Sequence, residues 1–340
     1  MRSNLRFIYI GGANEERRDL MQSTETATAN SRPYLALGLT FLLLGVGYAN
    51  PWPLVTRPPA GMWNGQFAFE VLNLYALVVF LGWAHFFYAW QGQWKASGRL
   101  TPLRRALYWG IVAAALILLA VLRKWWGVAV FSLVVWVYNI AHFIKAEIFF
   151  AGARERSRFY SPVIAFAWFT LVLFQAGPMG KLAVAVGGSV LLAVALLVAG
   201  DWRVLAEGQV RLPVLTLFLL GETLVWTAYG QYMSPAFRVG IYVFHIAAAS
   251  FFHYLSSYFF ASGRSRLTQP WVIAVVNVVF LCAGYAVAHT GWLRWASVWL
   301  APEWFTLWVA LHLVGSDLLP WWRRSVARST AQTQLIRERI

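Results

Sequence analysis

Four histidines could do chemistry together, because each lies in an apolar segment at a similar distance from a basic residue. A basic residue that flanks the segment follows each of His85, His142, His253 and His312 by 10 to 12 residues. These basic residues are Lys95, Arg154, Arg264 and Arg323. At about 1.5 Å rise per helical residue, each imidazole would lie about 15–18 Å from one charged surface, near the middle of a hydrocarbon layer about 30 Å thick. Several neutral imidazoles at one depth could bind a metal ion together, and imidazole ligands suit iron, copper or zinc. We therefore predict that these four histidines form a metal site.

A weak internal repeat surrounds these histidines. Residues 84–90, 141–147, 252–258 and 311–317 align without gaps, with histidine in second place. All four segments fall on even-numbered predicted helices, so they run in the same direction across the bilayer. This shared direction converts equal sequence spacing into equal depth. One histidine alone in a membrane helix is more often a hydrogen-bonding residue than a metal ligand, and the conjunction of four carries the prediction.

Two of the repeats carry an acid five residues after their histidine, Glu147 and Asp317. Five residues turn a helix by about 140° and advance it about 7.5 Å, so neither carboxylate readily shares a metal with its own histidine. Each could instead accept a hydrogen bond from a histidine of a neighbouring helix and fix its tautomer. We predict Glu147 and Asp317 as the catalytic carboxylates. Lys145 and Arg154 are the candidate charge partners for Glu147.

The remaining histidines and deep acids have weaker assignments. His245 precedes His253 by eight residues, about 12 Å along one helix, which is too far to bind the same ion. His245 and His289 could form a second site or line an access path, but hydrogen bonds to carbonyl groups are the favoured reading. Glu222 and Glu70 are candidates for polar cavities, without an assigned task.

The composition predicts a membrane protein. Of 340 residues, 60% are hydrophobic and only 12% are charged, which leaves too little polar surface for a soluble domain. The 28 Lys and Arg outnumber the 13 Asp and Glu. Because this excess lies in short loops and at helix ends, membrane topology and anionic lipid headgroups explain it better than a nucleic-acid partner. Cys282 is the only cysteine, so intrachain disulfides and multi-cysteine metal sites are excluded.

The elements that must position the histidines are about ten transmembrane helices in one all-α bundle. The distribution of basic residues places both termini in the cytoplasm. We expect a polar cytoplasmic tail over 1–32, one transmembrane domain over 33–322 and a basic cytoplasmic tail over 323–340. Tryptophans cluster at the helix ends, where they favour the headgroup zone. The predicted helices are 33–50, 65–94, 103–122, 126–151, 160–178, 181–199, 212–231, 236–262, 271–290 and 301–322.

The histidine segments resemble a known family. The segment from His142 to Glu147 is similar to the His-Phe-x-x-Ala-Asp segment of the Brp/Blh-type bacterial β-carotene dioxygenases, and that from His312 to Asp317 resembles their late Pro-His-x-x-x-x-Asp segment. The resemblance extends over about residues 80–320. Two motifs differ. The segment at His85 lacks the family's Pro-His-Gly-x-x-Asp. The family also has a close-spaced central pair of histidines, whereas His245 and His253 are eight residues apart.

That resemblance implies a multi-helix membrane enzyme that holds iron on histidines and cleaves β-carotene to retinal. It implies His85, His142 and His253 as iron ligands, with His245 or His312 as a further one. Phenylalanines, tryptophans and a tyrosine near the histidines would then line an apolar tunnel, although aromatic residues also fill membrane cores. These aromatic residues are Phe86, Phe87, Trp90, Trp136, Phe143, Phe149, Phe251, Phe252 and Tyr258.

The sequence thus predicts an oxygenase that uses non-haem iron on an apolar lipid or polyene such as a carotenoid. Haem or another metal is the alternative cofactor. The alternative functions are a non-catalytic membrane subunit that binds haem or pigment, and a transporter that moves ions past Glu147, Glu222 and Asp317. The expected partners are membrane lipids, an apolar small-molecule substrate and a membrane protein or second copy of the chain. The expected location is a bacterial cytoplasmic membrane.

Overall fold

The computed structural model describes residues 34–55, 69–150, 234–290 and 304–318, together with a few isolated positions. Every regular element in these ranges is helical, which confirms the all-helical class. Helices predicted at 160–178, 181–199 and 212–231 lie outside these ranges, as do the two predicted tails. The observed helices are α1 (Tyr34–Ala49), α2 (Phe69–Ser97), α3 (Pro102–Phe150), α4 (Pro235–Ala261), α5 (Pro270–His289) and α6 (304–318).

Four helical segments in these ranges are long and apolar enough to cross a membrane, which supports a membrane protein. They are Glu70–Ser97, Pro102–Val128, Val130–Glu147 and Pro270–His289. About three quarters of the α2 segment is buried inside the protein, whereas the first half of α3 and α5 bury almost none of theirs. Helix α2 is therefore a core helix. The first half of α3 and α5 present apolar side chains outwards, where lipid is the fitting solvent.

Gly127 divides α3 into two halves. Its backbone angles, φ 78° and ψ 159°, lie in a region that is open essentially to glycine alone. The sequence predicts two helices here, 103–122 and 126–151, and the structure confirms the break. The exposed Trp125 and Trp126 stand beside it. The second half of α3, which carries His142, can therefore take its own direction.

Sequence signals also mark both ends of α4. Ser234 precedes the helix, and its hydroxyl accepts a hydrogen bond from the Phe237 backbone N–H at 3.2 Å. Proline occupies the first position, where no backbone donor is needed. After the helix, Gly263 adopts a positive φ of 74° that a residue with a side chain rarely takes. A short 3-10 turn, Arg266–Thr268, then leads into α5.

The helices pack around α2. Helix α2 contacts α4 and α5, and α4 also contacts α3. Helix α6 reaches α2 through Trp83, whose ring centre lies 6.4 Å from that of Phe305. It reaches the second half of α3 through a hydrogen bond of 3.3 Å from Ser132 to Thr306. The four helices that carry the repeat histidines thus share one core.

Candidate metal centre

The structure brings all four repeat histidines together. Ring centres are 4.8 Å apart for His85 and His253, and 5.2 Å apart for His85 and His312. His142 lies 5.2 Å from His253 and 5.3 Å from His312. The four imidazoles therefore form a closed circuit, with one member each from α2, the second half of α3, α4 and α6.

These separations match what one metal ion requires. Imidazoles that bind one ion tetrahedrally at about 2.1 Å have ring centres about 5 Å apart. In addition, ligand nitrogens of His85, His253 and His312 all lie within 4.8 Å of one another. Small side-chain movements would bring these nitrogens to a common ion. The donor set, all imidazole, suits iron, copper and zinc.

Several ring nitrogens of the three most buried histidines lack hydrogen-bond partners within the described ranges. His85, His253 and His312 are only 4–6% exposed. Within the described ranges, Nε2 of His85, Nε2 of His253 and both ring nitrogens of His312 accept or donate no hydrogen bond. Buried polar atoms normally have a partner, and an unmet one costs about 1–3 kcal/mol. His142 is only half-buried, so it marks the more accessible side of the centre.

Neighbouring side chains hold the rings in place. The Tyr254 ring stacks on His85 at 4.9 Å, and the Phe143 ring stacks on His253 at 4.2 Å. Phe86 lies 5.1 Å from His312. These aromatic rings pack against the imidazoles and limit their rotation. On its outer nitrogen, Nδ1, His85 forms a hydrogen bond of 3.1 Å with a serine hydroxyl, that of Ser257.

Asp317 takes part in contacts between α6 and α3. The Tyr138 hydroxyl donates a hydrogen bond to the Asp317 carboxylate, and Lys145 Nζ lies 4.0 Å from the same carboxylate. Asp317 also lies close enough to His142 to interact with it electrostatically. Lys145, a candidate partner of Glu147, thus pairs with Asp317 of another helix. Asp317 stands next to a histidine of a neighbouring helix, although a catalytic role for it or for Glu147 stays a prediction.

His245, His289 and Glu70 are the other residues singled out in the sequence that the structure describes, and none of them belongs to the group of three in mutual reach. His245 is buried two turns before His253, outside the group of three mutually close histidines, and its role as a further ligand stays a prediction. His289 Nδ1 is 3.0 Å from the Tyr285 carbonyl oxygen, which confirms the expected hydrogen bond to a carbonyl. Glu70 is in the first turn of α2, where the helix dipole favours an acid. Glu222 lies outside the described residues.

The aromatic residues proposed for a tunnel divide into two sets. Phe86, Phe143 and Phe251 are buried near the histidines. In contrast, Phe87 and Phe149 are 40% and 63% exposed, so these two lie on the outer surface of the protein. Lining of a tunnel by the buried set stays a prediction.

Sequence reasoning missed two polar neighbours of the histidines. Ser257 and Tyr138 are each four residues from a repeat histidine, Ser257 after His253 and Tyr138 before His142. Positions four residues apart share a helix face, so this spacing was the available signal. It could not show that Ser257 would serve His85, because that contact is between two helices.

No family model matches the chain, and comparison with curated proteins and with solved structures gives no match either. The resemblance to the β-carotene dioxygenases stays a prediction. The case for a site therefore depends on the geometry of the four histidines.

Proposed function

We propose that the chain is a membrane oxygenase that binds one non-haem iron on His85, His253 and His312, with His142 as a fourth ligand. Its substrate is an apolar lipid or polyene such as a carotenoid. One observation carries the proposal: buried imidazole nitrogens from separate helices converge without hydrogen-bond partners among the described residues.

A metal explains this convergence better than packing does. A histidine that only packs is expected to find hydrogen-bond partners among nearby hydroxyl and carbonyl groups. A single unmet nitrogen is not decisive, because His289 pairs Nδ1 with the Tyr285 carbonyl and still has an unmet Nε2 among the described residues. The distinguishing feature is that ligand nitrogens of His85, His253 and His312 lie within 4.8 Å of one another. Several unmet nitrogens together would cost several kcal/mol, since each costs about 1–3 kcal/mol. A bound ion would take up one nitrogen from each of the three rings at once.

The surroundings favour an apolar substrate. Phe86 and Phe143 bring hydrocarbon against the imidazoles, and the histidine helices α2 and α3 are apolar enough to cross a membrane. A molecule that reaches this depth must dissolve in lipid. Iron bound there would supply activation of dioxygen. On the accessible side, Tyr138 and Asp317 can hold and exchange a proton beside His142.

Haem is the less fitting cofactor. Imidazoles on opposite faces of a haem are separated by the porphyrin plane, whereas the ring centres here lie 4.8–5.3 Å apart around a closed circuit. Aromatic side chains from α2, α3 and α4 pack directly against the same rings. This arrangement leaves room for an ion and little for a macrocycle.

Metal analysis of the detergent-purified protein tests the site. We expect about one iron per wild-type chain, and loss of that metal in His253→Ala and in His142→Ala. His289→Ala is the matched control, because His289 is bonded to a carbonyl away from the cluster. Wild type without stoichiometric metal, or unchanged occupancy in His253→Ala, would refute the metal site.

Spectra and dioxygen uptake test the chemistry. We expect a near-colourless protein that consumes dioxygen when a polyene is supplied in micelles, and loses that uptake in His253→Ala. A Soret band or bound carotenoid bands without uptake would favour a non-catalytic binding subunit instead.

A further inference from the structure

We infer that Ser257 is a positioning residue: it fixes the proton of His85 on Nδ1 and so presents the Nε2 lone pair to the centre of the four histidines. This inference rests on the proposed metal site for its consequence, although the tautomer itself follows from hydrogen bonding alone.

The hydroxyl of Ser257 has two neighbours. Its Oγ lies 2.7 Å from the Tyr254 backbone oxygen and 3.1 Å from His85 Nδ1. A hydroxyl has a single proton, and a carbonyl oxygen can only accept. The Ser257 proton therefore goes to the Tyr254 carbonyl. The hydroxyl lone pair is then what faces His85, so Nδ1 must carry the proton that joins them.

A neutral imidazole that is protonated on Nδ1 has its lone pair on Nε2. In His85, Nε2 is buried and has no hydrogen-bond partner in the described helices. The centre of the His85 ring lies 4.8 Å from that of His253 and 5.2 Å from that of His312. The tautomer selected by Ser257 is thus the one that can donate a lone pair to an ion at this centre.

Tyr254 has two roles in this arrangement. Its carbonyl takes the Ser257 proton, and its ring stacks on His85 with an angle of 25° between the planes. A rotation of the imidazole by half a turn would break the bond to Ser257. Residues 254 and 257 are one turn apart on α4, so a single helix sets both the plane and the protonation of a ligand on α2. Partners of this kind typically change metal affinity by about 10–100-fold.

Nitrogen NMR of histidine in the full-length protein tests the tautomer directly. The protein would be labelled with ¹⁵N-histidine in detergent, and the His85 signals would be identified by their loss in His85→Ala. We expect the Nδ1-protonated tautomer in wild type and in Ser257→Thr, which keeps the hydroxyl, and a mixed tautomer in Ser257→Ala. Ser256→Ala is the matched control, because it removes a hydroxyl from the preceding residue of the same helix and should leave the wild-type tautomer.

Titration with Co²⁺ as the probe metal tests the consequence. We expect Ser257→Ala to bind about 10–100-fold more weakly than wild type, with Ser257→Thr and Ser256→Ala near wild type. An Nε2-protonated His85 in wild type, or a Ser257→Ala protein with wild-type tautomer and affinity, would overturn the inference. A wild type with the expected tautomer but no cobalt binding would instead refute the proposed metal site and leave the tautomer assignment standing.

Discussion

At the scale of single residues, the informative feature is what the histidines lack. His312 is 5% exposed and has neither ring nitrogen paired within the described residues, whereas His289 pairs Nδ1 with a carbonyl and has an unmet Nε2 there. The same side-chain type therefore serves as a structural group at one end of α5 and as a candidate ligand in the core. Proximity to other imidazoles, rather than residue type, separates these roles.

Metal removal should lower the stability of the folded protein. A ligand that binds only the native state stabilises it by about 2.7 kcal/mol at a concentration 100 times its Kd. We expect the Tm of wild type to fall after chelation and to recover when iron or cobalt is returned. In His312→Ala the Tm should not respond to either treatment. A response of equal size in that variant would show that the metal acts elsewhere.

Replacement of Asp317 separates a structural role from a catalytic one. The Lys145 and Asp317 side chains are 59% and 43% exposed, and such ion pairs contribute about 1 kcal/mol or less. We therefore expect Asp317→Asn to keep its metal and nearly all of its stability, and to lose oxygenase activity. Metal analysis, thermal unfolding and dioxygen uptake measure the three effects. Full activity in Asp317→Asn would remove this carboxylate from the catalytic set.

At the scale of helices, glycines determine how closely α2 approaches its neighbours. A methyl group on Gly82 would lie 2.5 Å from the Phe305 ring and 2.8 Å from the Tyr254 hydroxyl oxygen. A methyl group on Gly284 would overlap the ring of Phe80. The first glycine lies where α2 meets α4 and α6, and the second lies where α5 meets α2. Helix–helix distance in this core thus depends on residues without side chains.

Gly284→Ala should destabilise the protein by about 1–3 kcal/mol, because the added methyl overpacks a contact with a buried ring. Gly110→Ala is the matched control. Gly110 is also inside a helix, but nothing lies within 4 Å of an added methyl group, so the change should stabilise by about 0.5–1 kcal/mol. Thermal or denaturant unfolding in one detergent measures both. Equal effects would contradict the close α2–α5 contact.

Gly82→Ala should affect metal binding more than Gly284→Ala does. Gly82 is one turn before His85, and its obstacles belong to the helices that carry His253 and His312. An added methyl would therefore push the ligands apart. We expect about tenfold weaker Co²⁺ binding, which corresponds to about 1.4 kcal/mol. If Gly284→Ala weakens cobalt binding equally, the effect is general loss of packing and not displacement of ligands.

At the scale of the whole molecule, polar and apolar groups are distributed as a membrane demands. The first half of α3 and α5 expose apolar side chains along their length, and tryptophans such as Trp94, Trp125 and Trp271 are exposed near helix ends. The histidine centre lies in the buried interior between the other helices. This is the inverse of a soluble enzyme, whose exposed surface would be polar.

Labelling of single cysteines tests the membrane topology. Arg99 is exposed three residues before α3 begins, and Lys124 is exposed near the end of the first half of α3; the helix from Pro102 to Lys124 is about 33 Å long at 1.5 Å per residue. In a Cys282→Ala background, a membrane-impermeant maleimide should label Arg99→Cys only from the cytoplasmic face and Lys124→Cys only from the other face. Labelling of both from one face would show that this segment does not cross the membrane.

Composition and spacing alone predicted an all-helical membrane protein and singled out the four histidines that the structure brings together. Apolar segments of spanning length predict helices, and the break at Gly127 lies one residue after the predicted start of the second helix at 126. The distance from each histidine to the basic residue that flanks its apolar segment predicts one depth, because a helix rises by a constant amount per residue. The rise per residue is a property of one helix alone, so the depth of a histidine can be inferred from sequence without the tertiary structure.

Only the tertiary structure decided which groups face one another. Rotation of each helix about its axis and the close approach at Gly82 bring four imidazoles together, and neither is encoded in the spacing of one segment. The pairing of Lys145 with Asp317, and the bond from His85 to Ser257, join helices far apart in sequence. Such contacts depend on side-chain packing between helices, whereas depth depends only on the backbone repeat within one.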